Sequence, residues 1–310
     1  MQQGTLRRFV GIALVAVSAT GFGTLAILGR YAYADGMDAL TMLSLRFSLA
    51  ALVLTALLAT RRERLPRRLT LLRLIGMGAI GYVGQAFSYL TALKYASPGL
   101  VALLLYLHPA FVVILSALWL REPIQRTKVL ALGLALTGLA LTVGPEGGQA
   151  PGIVLAILAA AIYSVYIIIG AQVMQQVSAI QSATVIFAAA GAMSSALMFA
   201  HGPQLPATGA GWAAIGAMVL LATVLPVVAF LAGLERIGAT NAAMLSTLEP
   251  VVTVLLAATL LGETLKPITL AGGGLILVAV LLLMLDQLRR ADVALTGEDR
   301  ISGRKPRMES

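Results

Sequence analysis

Residues 107–122 read LHPAFVVILSALWLRE, and residues 248–263 read LEPVVTVLLAATLLGE. The two stretches lie 141 positions apart, and each has a proline two residues after its first leucine and a glutamate at its end. The same offset holds along the chain without a gap, as in the pair Gly11 and Gly152. Two similar halves of a very apolar chain predict a duplicated membrane fold with a substrate site between the halves.

The composition places most of the surface in hydrocarbon. Of the 310 residues, 59% are hydrophobic and only 11% are charged, whereas soluble domains carry roughly 25% charged residues. The absence of cysteine excludes disulfides and thiolate metal sites. His108 and His201 are the two histidines, too few for most histidine metal sites. We therefore expect a chain without a separate soluble domain, a metal ion or a cofactor.

Ten apolar stretches are long enough to cross a bilayer, which takes about 20 residues. They lie near 9–31, 39–59, 71–92, 98–119, 129–145, 152–171, 181–200, 211–233, 241–261 and 268–286. The first lacks a convincing cleavage site and is expected to stay in the mature protein. The sequence thus predicts an all-α membrane protein of ten transmembrane helices. The first five-helix repeat covers 1–147, the second covers 148–286, and 287–310 is a basic tail predicted to be disordered.

Basic residues predict the orientation of these spans. With the N-terminus inside, 18 of the 22 Lys and Arg residues fall in inside segments or in the tail, and only Arg30, Lys94 and Lys266 fall outside. This bias predicts two cytoplasmic termini in a bacterial-type inner membrane. Five spans per repeat then require the second repeat to be inverted relative to the first. The net charge of +9 fits lipid headgroups and orientation signals, so we expect no nucleic acid partner.

Three titratable side chains fall well inside predicted spans: Arg46, His108 and Glu249. A charge at that depth costs a few kcal/mol, so these groups should face the protein interior or a wet cavity. His108 and Glu249 occupy the same position in the two halves, each directly before a proline. One interpretation is that they line the pathway and handle a polar substrate or a proton. The alternatives are structural: satisfying Arg46 or a freed backbone carbonyl, and for Arg46 snorkelling or anchoring a loop.

Prolines inside spans predict helix breaks, because each proline removes one N–H and frees the carbonyl four residues earlier. The pairs of proline and freed carbonyl are Pro109 with Leu105, Pro226 with Ala222, and Pro250 with Ser246. Matched breaks in the two halves, at Pro109 and Pro250, are typical of a transporter site. For Pro226 a packing kink without a ligand is an equal alternative.

Polar and aromatic side chains form stripes on two spans, with Tyr82, Gln85 and Tyr89 on one face. A tyrosine at a span end is usually an interface anchor, but one nearer the middle needs a partner for its hydroxyl group. The predicted substrate cavity comprises Tyr82, Gln85, Tyr106, His108, Tyr163, Tyr166, Ser246 and Glu249. Pro109, Pro226 and Pro250 are the predicted breaks or gates, and Arg46, His108 and Glu249 the predicted proton or charge partners.

Common motifs of other functions are absent or out of context. Residues 76–81 read GMGAIG, which matches a dinucleotide-binding fingerprint, but they lie inside an apolar span rather than between a strand and a helix. Their glycines favour close helix packing, as do Gly84 and Gly191. The chain has no phosphate-binding loop and no common hydrolase signature. ATP-driven pumping and an enzymatic activity are therefore not expected.

The paired span ends resemble the drug/metabolite transporter superfamily, and within it the EamA-type ten-helix exporters made of two five-helix repeats. The resemblance extends over residues 10–285. It rests on Pro109 through Leu118-Trp119-Leu120-Arg121-Glu122 with Gly133 and Gly138, and on Pro250 through Leu260-Leu261-Gly262-Glu263 with Gly272 and Gly274. The first half departs from the usual Gly-Glu with Arg121-Glu122-Pro123, which loosens the motif but not the architecture. Within the superfamily the chain is most similar to the aromatic amino acid exporter branch, and His108-Pro109 is part of that likeness.

The resemblance implies a secondary carrier in the lipid bilayer that exports small metabolites by alternating access around a cavity lined by spans three, four, six, eight and nine. We expect an amino-acid-like substrate with an aromatic or other apolar side chain between tyrosine walls. Gln85, His108 and Glu249 would then meet its amino and carboxyl groups. A multidrug or other metabolite exporter and a non-transport scaffold or sensor are the alternatives. Proton coupling, facilitative transport and the oligomeric state stay open.

Overall fold

The computed structural model describes residues 2–92, 94–96, 98–143, 149–261 and 266–302, and the regular elements in these ranges are helices. The α-helices are α1 (Gln2–Gly23), α2 (Leu25–Ala34), α3 (Ala39–Thr60), α4 (Arg68–Gly76), α5 (Val83–Ala92), α6 (Pro98–Leu105), α7 (His108–Trp119), α8 (Arg126–Val143), α9 (Ala150–Val173), α10 (Ala179–His201), α11 (Gly209–Val219), α12 (Leu225–Ile237), α13 (Ala239–Leu245), α14 (Glu249–Leu261) and α15 (Pro267–Ser302). Two π-helical segments, Met77–Tyr82 and Leu220–Val224, join α4 to α5 and α11 to α12, and a 3₁₀ turn, Ser246–Leu248, joins α13 to α14.

Within the described ranges, eight helical stretches are long and apolar enough to cross a membrane, with one shorter apolar helix, His108–Trp119. The predicted fourth span, 98–119, is divided by the break between α6 and α7, so neither piece has the length of a span. The predicted fifth span corresponds to α8 and the residues after it, of which 144–148 lie outside the described residues. The architecture is that of an all-helical membrane protein, and the count of ten spans and the location of the termini stay predictions.

The last helix ends at Ser302 and therefore runs into the stretch that the sequence predicts to be a disordered tail. Residues 303–310 lie outside the described part of the chain. The division into repeats at 1–147 and 148–286, followed by a tail, stays a prediction.

Helices of the two halves pack together in matched pairs. Helices α3 and α10, which lie 141 positions apart in the chain, pack against each other, and so do the equivalent helices α8 and α15. The packing of α1 against α12 is repeated by that of α9 against α5, and the packing of α7 against α9 is repeated by that of α14 against α1. An exchange of the two halves maps each of these contacts onto another, which is the pattern expected of a two-repeat membrane fold.

Small residues allow the closest of these contacts. A Cβ atom on Gly191 of α10 would lie 2.9 Å from Oγ of Ser48 on α3, and one on Gly138 of α8 would lie 2.5 Å from the carbonyl oxygen of Gly272 on α15. Gly78, inside the sequence GMGAIG, touches the carbonyl of Ile186. That sequence is part of a π-helical segment and packs against another helix, so it is a packing site in a helix.

Loops of opposite halves are joined by hydrogen bonds at both ends of the bundle. At one end, the Thr208 hydroxyl donates to the Asp35 carboxylate at 2.6 Å, and the Gln204 backbone N–H donates to the Thr41 hydroxyl at 2.9 Å. At the other end, the Ser178 hydroxyl donates to the carboxylate of Glu63 at 2.5 Å. The first loop of each repeat is therefore held to the second loop of the other repeat, which ties the two halves together at both ends.

Candidate functional site

A series of aromatic rings runs through the centre of the bundle and connects most of the predicted cavity residues. The centroid distances along this ring series are 5.7 Å for Phe187–Phe47, 5.2 Å for Phe47–Tyr82, 5.7 Å for Tyr82–Tyr166, 5.9 Å for Tyr166–Tyr163, 4.8 Å for Tyr163–His108 and 5.8 Å for His108–Tyr106. Most neighbouring rings are tilted or edge to face, which is a favourable arrangement for aromatic pairs. The series therefore brings residues of spans two, three, four, six and seven into one cluster.

Glu249 and Arg46 lie beside the ring series. The phenol of Tyr106 and the charge of Arg46 both act on the Glu249 carboxyl group. The Arg46 guanidinium lies over the Phe47 ring, 5.1 Å from its centroid. One acid and one base thus lie beside the same aromatic rings, and the region that these side chains share is called the compartment below.

Arg46 is buried, with 6% of its surface exposed, and it is bound to the other half of the chain. Its Nε donates to the hydroxyl of Thr223 at 2.6 Å, and one terminal nitrogen donates to the carbonyl of Ala222 at 3.3 Å. Ala222 carries the carbonyl that Pro226 leaves without an N–H partner. Arg46 thus satisfies a carbonyl freed by a proline, which was not among the interpretations open for Arg46.

In the first half, His108 likewise binds a backbone carbonyl that a proline leaves without an N–H partner. Its Nδ1 lies 3.2 Å from the carbonyl oxygen of Leu105, the carbonyl freed by Pro109. Because a carbonyl only accepts, Nδ1 must carry the proton, and Nε2 of the neutral ring must then be an acceptor. His108 is 2% exposed, and Nε2 is a buried atom with no hydrogen-bond partner among the described residues. The ring is thus held in one tautomer and presents an unused acceptor to its aromatic neighbours.

The break in the second half is closed by the backbone itself. The N–H of Glu249 donates to the carbonyl of Ser246, the carbonyl freed by Pro250. The Ser246 hydroxyl donates to the carbonyls of Ala242 and Ala243, at 3.1 and 2.8 Å, and so points along its own helix rather than toward the rings. Gln85 is partly buried on α5, and the described residues give it no hydrogen-bond partner. Of the predicted cavity residues, Ser246, Gln85 and Glu249 are not part of the ring series, and Glu249 is the one of the three that interacts with a member of it, Tyr106.

Two rings of the series, Phe47 and Phe187, and the Arg46 partner Thr223 are not among the residues predicted from sequence. Phe187 lies at the position of Arg46 in the other half, and Thr223 lies at the position of Tyr82. The hydrogen bond between Arg46 and Thr223 thus has a counterpart in the edge-to-face contact of Phe187 with Tyr82, at 5.7 Å. Overlaying the halves at Arg46 would have identified Phe187, but the partner across the bundle is visible only in the fold.

A second pair of contacts joins each broken helix to the first span of the other half. The Ser164 hydroxyl on α9 donates to the backbone carbonyl of His108 at 3.2 Å. In the other half, the Thr253 hydroxyl on α14 donates to the carbonyl of Gly23 at 3.2 Å. Gly23 is the repeat equivalent of Ser164, and Thr253 lies four residues after Glu249, the equivalent of His108, so each broken helix is fastened to the first span of the other half near its proline.

Comparisons with known proteins agree with this architecture. A protein of known crystal structure superimposes on 94% of this chain and 99% of its own with a TM-score of 0.76 at 22% sequence identity, which shows a shared fold. An uncharacterized transporter of Archaeoglobus fulgidus is 29% identical over 275 residues, covering 88% of this chain and 95% of the relative. The uncharacterized transporter YcbK of Bacillus subtilis is 26% identical over 278 residues, covering 85% and 89%.

The sequence model of the EamA-like transporter family matches the chain twice, at residues 9–144 and 150–285. The second match begins 141 residues after the first, which is the offset found in the sequence. Together the two matches cover the helices that carry the ring series, both proline breaks and Arg46. This chain belongs to the EamA-like transporter family and is a multi-pass membrane protein.

Proposed function

We propose that the protein is a secondary transporter that exports aromatic or other apolar amino acids across the inner membrane by alternating access. The observation that carries the proposal is the compartment in which Glu249, Arg46 and the ring series meet between the two halves. A mostly apolar site with a few placed polar groups is typical of small-molecule pockets. Here the polar groups have opposite charges and the walls are flat rings.

The charges favour a zwitterion over a cation. Glu249 offers a carboxylate to an α-ammonium group, and Arg46 offers a guanidinium to an α-carboxylate, which Arg side chains recognise well. A drug carrying only a positive charge would meet Glu249 but would also be repelled by Arg46. An amino acid therefore satisfies both groups, whereas a cationic drug satisfies one.

The aromatic walls favour a planar side chain. Tyr106, Tyr163 and Tyr166 belong to the series, and stacked or edge-to-face contacts with a further ring add about 0.5–1.5 kcal/mol beyond burial alone. The matched breaks at Pro109 and Pro250 supply helices in which each repeat can bend around the bound substrate. Binding between the repeats, followed by bending of one or the other, gives access to each side in turn.

Purified protein in proteoliposomes tests the proposal. We expect saturable uptake of labelled phenylalanine, tyrosine and tryptophan, and weak competition by nucleosides and cationic drugs. The variant Glu249→Gln should lose most of this uptake because the substrate ammonium loses its counter-charge. Glu235→Gln, which removes a partly exposed carboxylate paired with Arg7, is the matched control and should retain it. Uptake of cationic drugs in preference to amino acids would instead identify a multidrug exporter.

Energy coupling needs a separate measurement. Glu249 lies where substrate and proton would compete for one carboxylate, so we expect an imposed pH gradient to accelerate uptake in wild-type vesicles. Equal rates with and without the gradient would identify a facilitative carrier.

A further inference from the structure

His108 is the buried polar group whose chemistry the proposed function leaves partly unused. Its Nδ1 is occupied by the Leu105 carbonyl, and its Nε2 is a buried acceptor to which the described part of the chain offers no donor. A buried polar atom without a partner calls for an explanation, such as a water molecule or a role in binding. The ring can satisfy Nε2 only with a donor supplied from outside the described residues.

We propose that His108 Nε2 is a specificity site that accepts a hydrogen bond from a ring N–H or O–H group of the substrate side chain. The preferred substrates are then indole- and phenol-bearing amino acids, and a plain phenyl ring is a poorer substrate. This inference rests on the proposed function, since it needs an aromatic amino acid in the compartment.

The rings around Nε2 indicate that this atom binds the side chain of the substrate rather than the substrate's ammonium group. The His108 ring lies 4.8 Å from the ring of Tyr163 and 5.8 Å from that of Tyr106, so aromatic faces flank it. Glu249, in contrast, is the acid of the compartment and the natural partner of an ammonium group. A substrate with its charged end between Glu249 and Arg46 places its ring among the rings of the series, where His108 lies.

The fixed tautomer makes the site selective. Because Nδ1 holds the proton against the Leu105 carbonyl, Nε2 accepts and does not donate. A substrate with a donor satisfies Nε2, whereas one without a donor buries the atom unpaired, at a cost of about one to two powers of ten in affinity. Sites that hydrogen-bond a substrate group reject analogues that lack it for this reason.

Two substitutions of His108 separate the roles of its two ring nitrogen atoms. His108→Asn keeps an amide N–H within reach of the Leu105 carbonyl but has no atom at the Nε2 position. His108→Gln places its amide group at the position of Nε2 and keeps an acceptor there. Ser116→Ala is the matched control, because Ser116 lies on the same helix and its hydroxyl is also buried without a partner.

The test compares uptake of tryptophan, 1-methyltryptophan, which lacks the ring N–H, and 5-methyltryptophan, which keeps it at the same size. We expect wild type to prefer 5-methyltryptophan over 1-methyltryptophan by tenfold or more in kcat/KM. His108→Asn should reduce this ratio to about one, while His108→Gln and Ser116→Ala should retain a preference. A ratio within one protein is independent of its expression and folding yield.

Two outcomes would contradict the inference in different ways. Equal wild-type uptake of the two methylated tryptophans, or an unchanged ratio in His108→Asn, overturns the role of Nε2 and leaves aromatic amino acid export standing. A lack of saturable uptake of any amino acid by wild type overturns the proposed function and this inference with it.

Discussion

The guanidinium of Arg46, in the second span, donates a 2.6 Å hydrogen bond to the hydroxyl of Thr223, in the opposite half of the chain. Thr223 lies in the π-helical segment Leu220–Val224 and donates in turn to the carbonyl of Met218 at 2.8 Å. The bond therefore ties a charged side chain to an irregular turn of helix inside the membrane. In the repeat-equivalent place, Phe187 and Tyr82 make an apolar contact instead.

Removing either partner of this hydrogen bond should destabilise the protein, and the effects of the two substitutions should depend on each other. We expect Arg46→Met and Thr223→Val each to lower the free energy of unfolding, with a coupling of about 1–3 kcal/mol in a double-mutant cycle, because both substitutions delete one buried, charge-assisted bond. Unfolding of the detergent-solubilised variants by heat or denaturant measures it. A parallel cycle of Arg46→Met with Thr240→Val, whose hydroxyl bonds to Glu122 instead, should show no coupling. Equal coupling in both cycles would contradict the prediction.

Gly138 and Gly133 lie on the same helix, α8, and should respond oppositely to an added methyl group. At Gly138 a Cβ atom would lie 2.5 Å from the carbonyl oxygen of Gly272, whereas at Gly133 it would meet nothing within 4 Å. We expect Gly138→Ala to cost about 1–3 kcal/mol through overpacking of α8 against α15. Gly133→Ala should be neutral or stabilise by up to about 1 kcal/mol through helix propensity. Thermal unfolding of the two variants side by side checks this prediction. Equal unfolding midpoints would show that α8 and α15 can move apart at Gly138 without a loss of stability.

Residues 64 and 205 are repeat equivalents and should lie on opposite sides of the membrane. Because the chain has no cysteine, a single cysteine placed there has no background. We expect a membrane-impermeant maleimide to label Leu205→Cys in intact cells, and to label Arg64→Cys only after the membrane is opened. Both positions are exposed, so burial does not hide either thiol. Labelling of both from outside would contradict an inverted repeat.

The stabilisation that the hydrogen bond between Asp35 and Thr208 gives to the loop should depend on pH. The hydroxyl and backbone N–H of Thr208 hold the pKa of the Asp35 carboxyl below its usual range. A carboxyl group with a lowered pKa stabilises the folded loop at pH values above its unfolded pKa, and this contribution is lost as the pH falls through the lowered value. We therefore expect amide hydrogen exchange in residues 202–208 to be slower in wild type than in Asp35→Asn at neutral pH.

This difference in exchange should shrink only at pH values below about 4, the ordinary range of an aspartate. Asp38→Asn is the control, because Asp38 caps its own helix α3 through the N–H groups of Leu40 and Thr41 and should leave 202–208 unchanged. A ratio of exchange rates between wild type and Asp35→Asn that stays constant across the pH range would argue against the bond.

The sequence alone predicted the helical membrane fold and the repeat, because hydrophobic length and a gap-free offset are local properties. It also located the breaks: α7 begins at His108, one residue before Pro109, and α14 begins at Glu249, one residue before Pro250. The partners of the freed carbonyls depend on the packing of helices far apart in the chain. Arg46 reaches Ala222 across 176 positions, and no spacing rule connects them.

In the aromatic site, too, some residues could be predicted from the sequence and others depend on the packing of the helices. Tyr82 and Tyr163 stood out as polar aromatic residues near the middle of spans, whereas Phe47 and Phe187 could equally have faced lipid. Their place in the cluster follows from the pairing of α3 with α10, which brings their rings to a centroid distance of 5.7 Å. Ser246, four residues before Pro250, was a predicted cavity residue, but its hydroxyl donates a hydrogen bond to the Ala243 carbonyl of its own helix.

The two proline breaks also determine where bending costs least. An intact helix must give up a backbone hydrogen bond to flex sharply, but at Pro109 and Pro250 that bond is already missing. His108 and the 3₁₀ turn replace it with short, local contacts that can stretch while the rest of each helix stays rigid. We therefore expect bending to concentrate at the residues that carry the unlike side chains of the two halves, so that a ligand in contact with His108 or Glu249 acts directly on a point of bending.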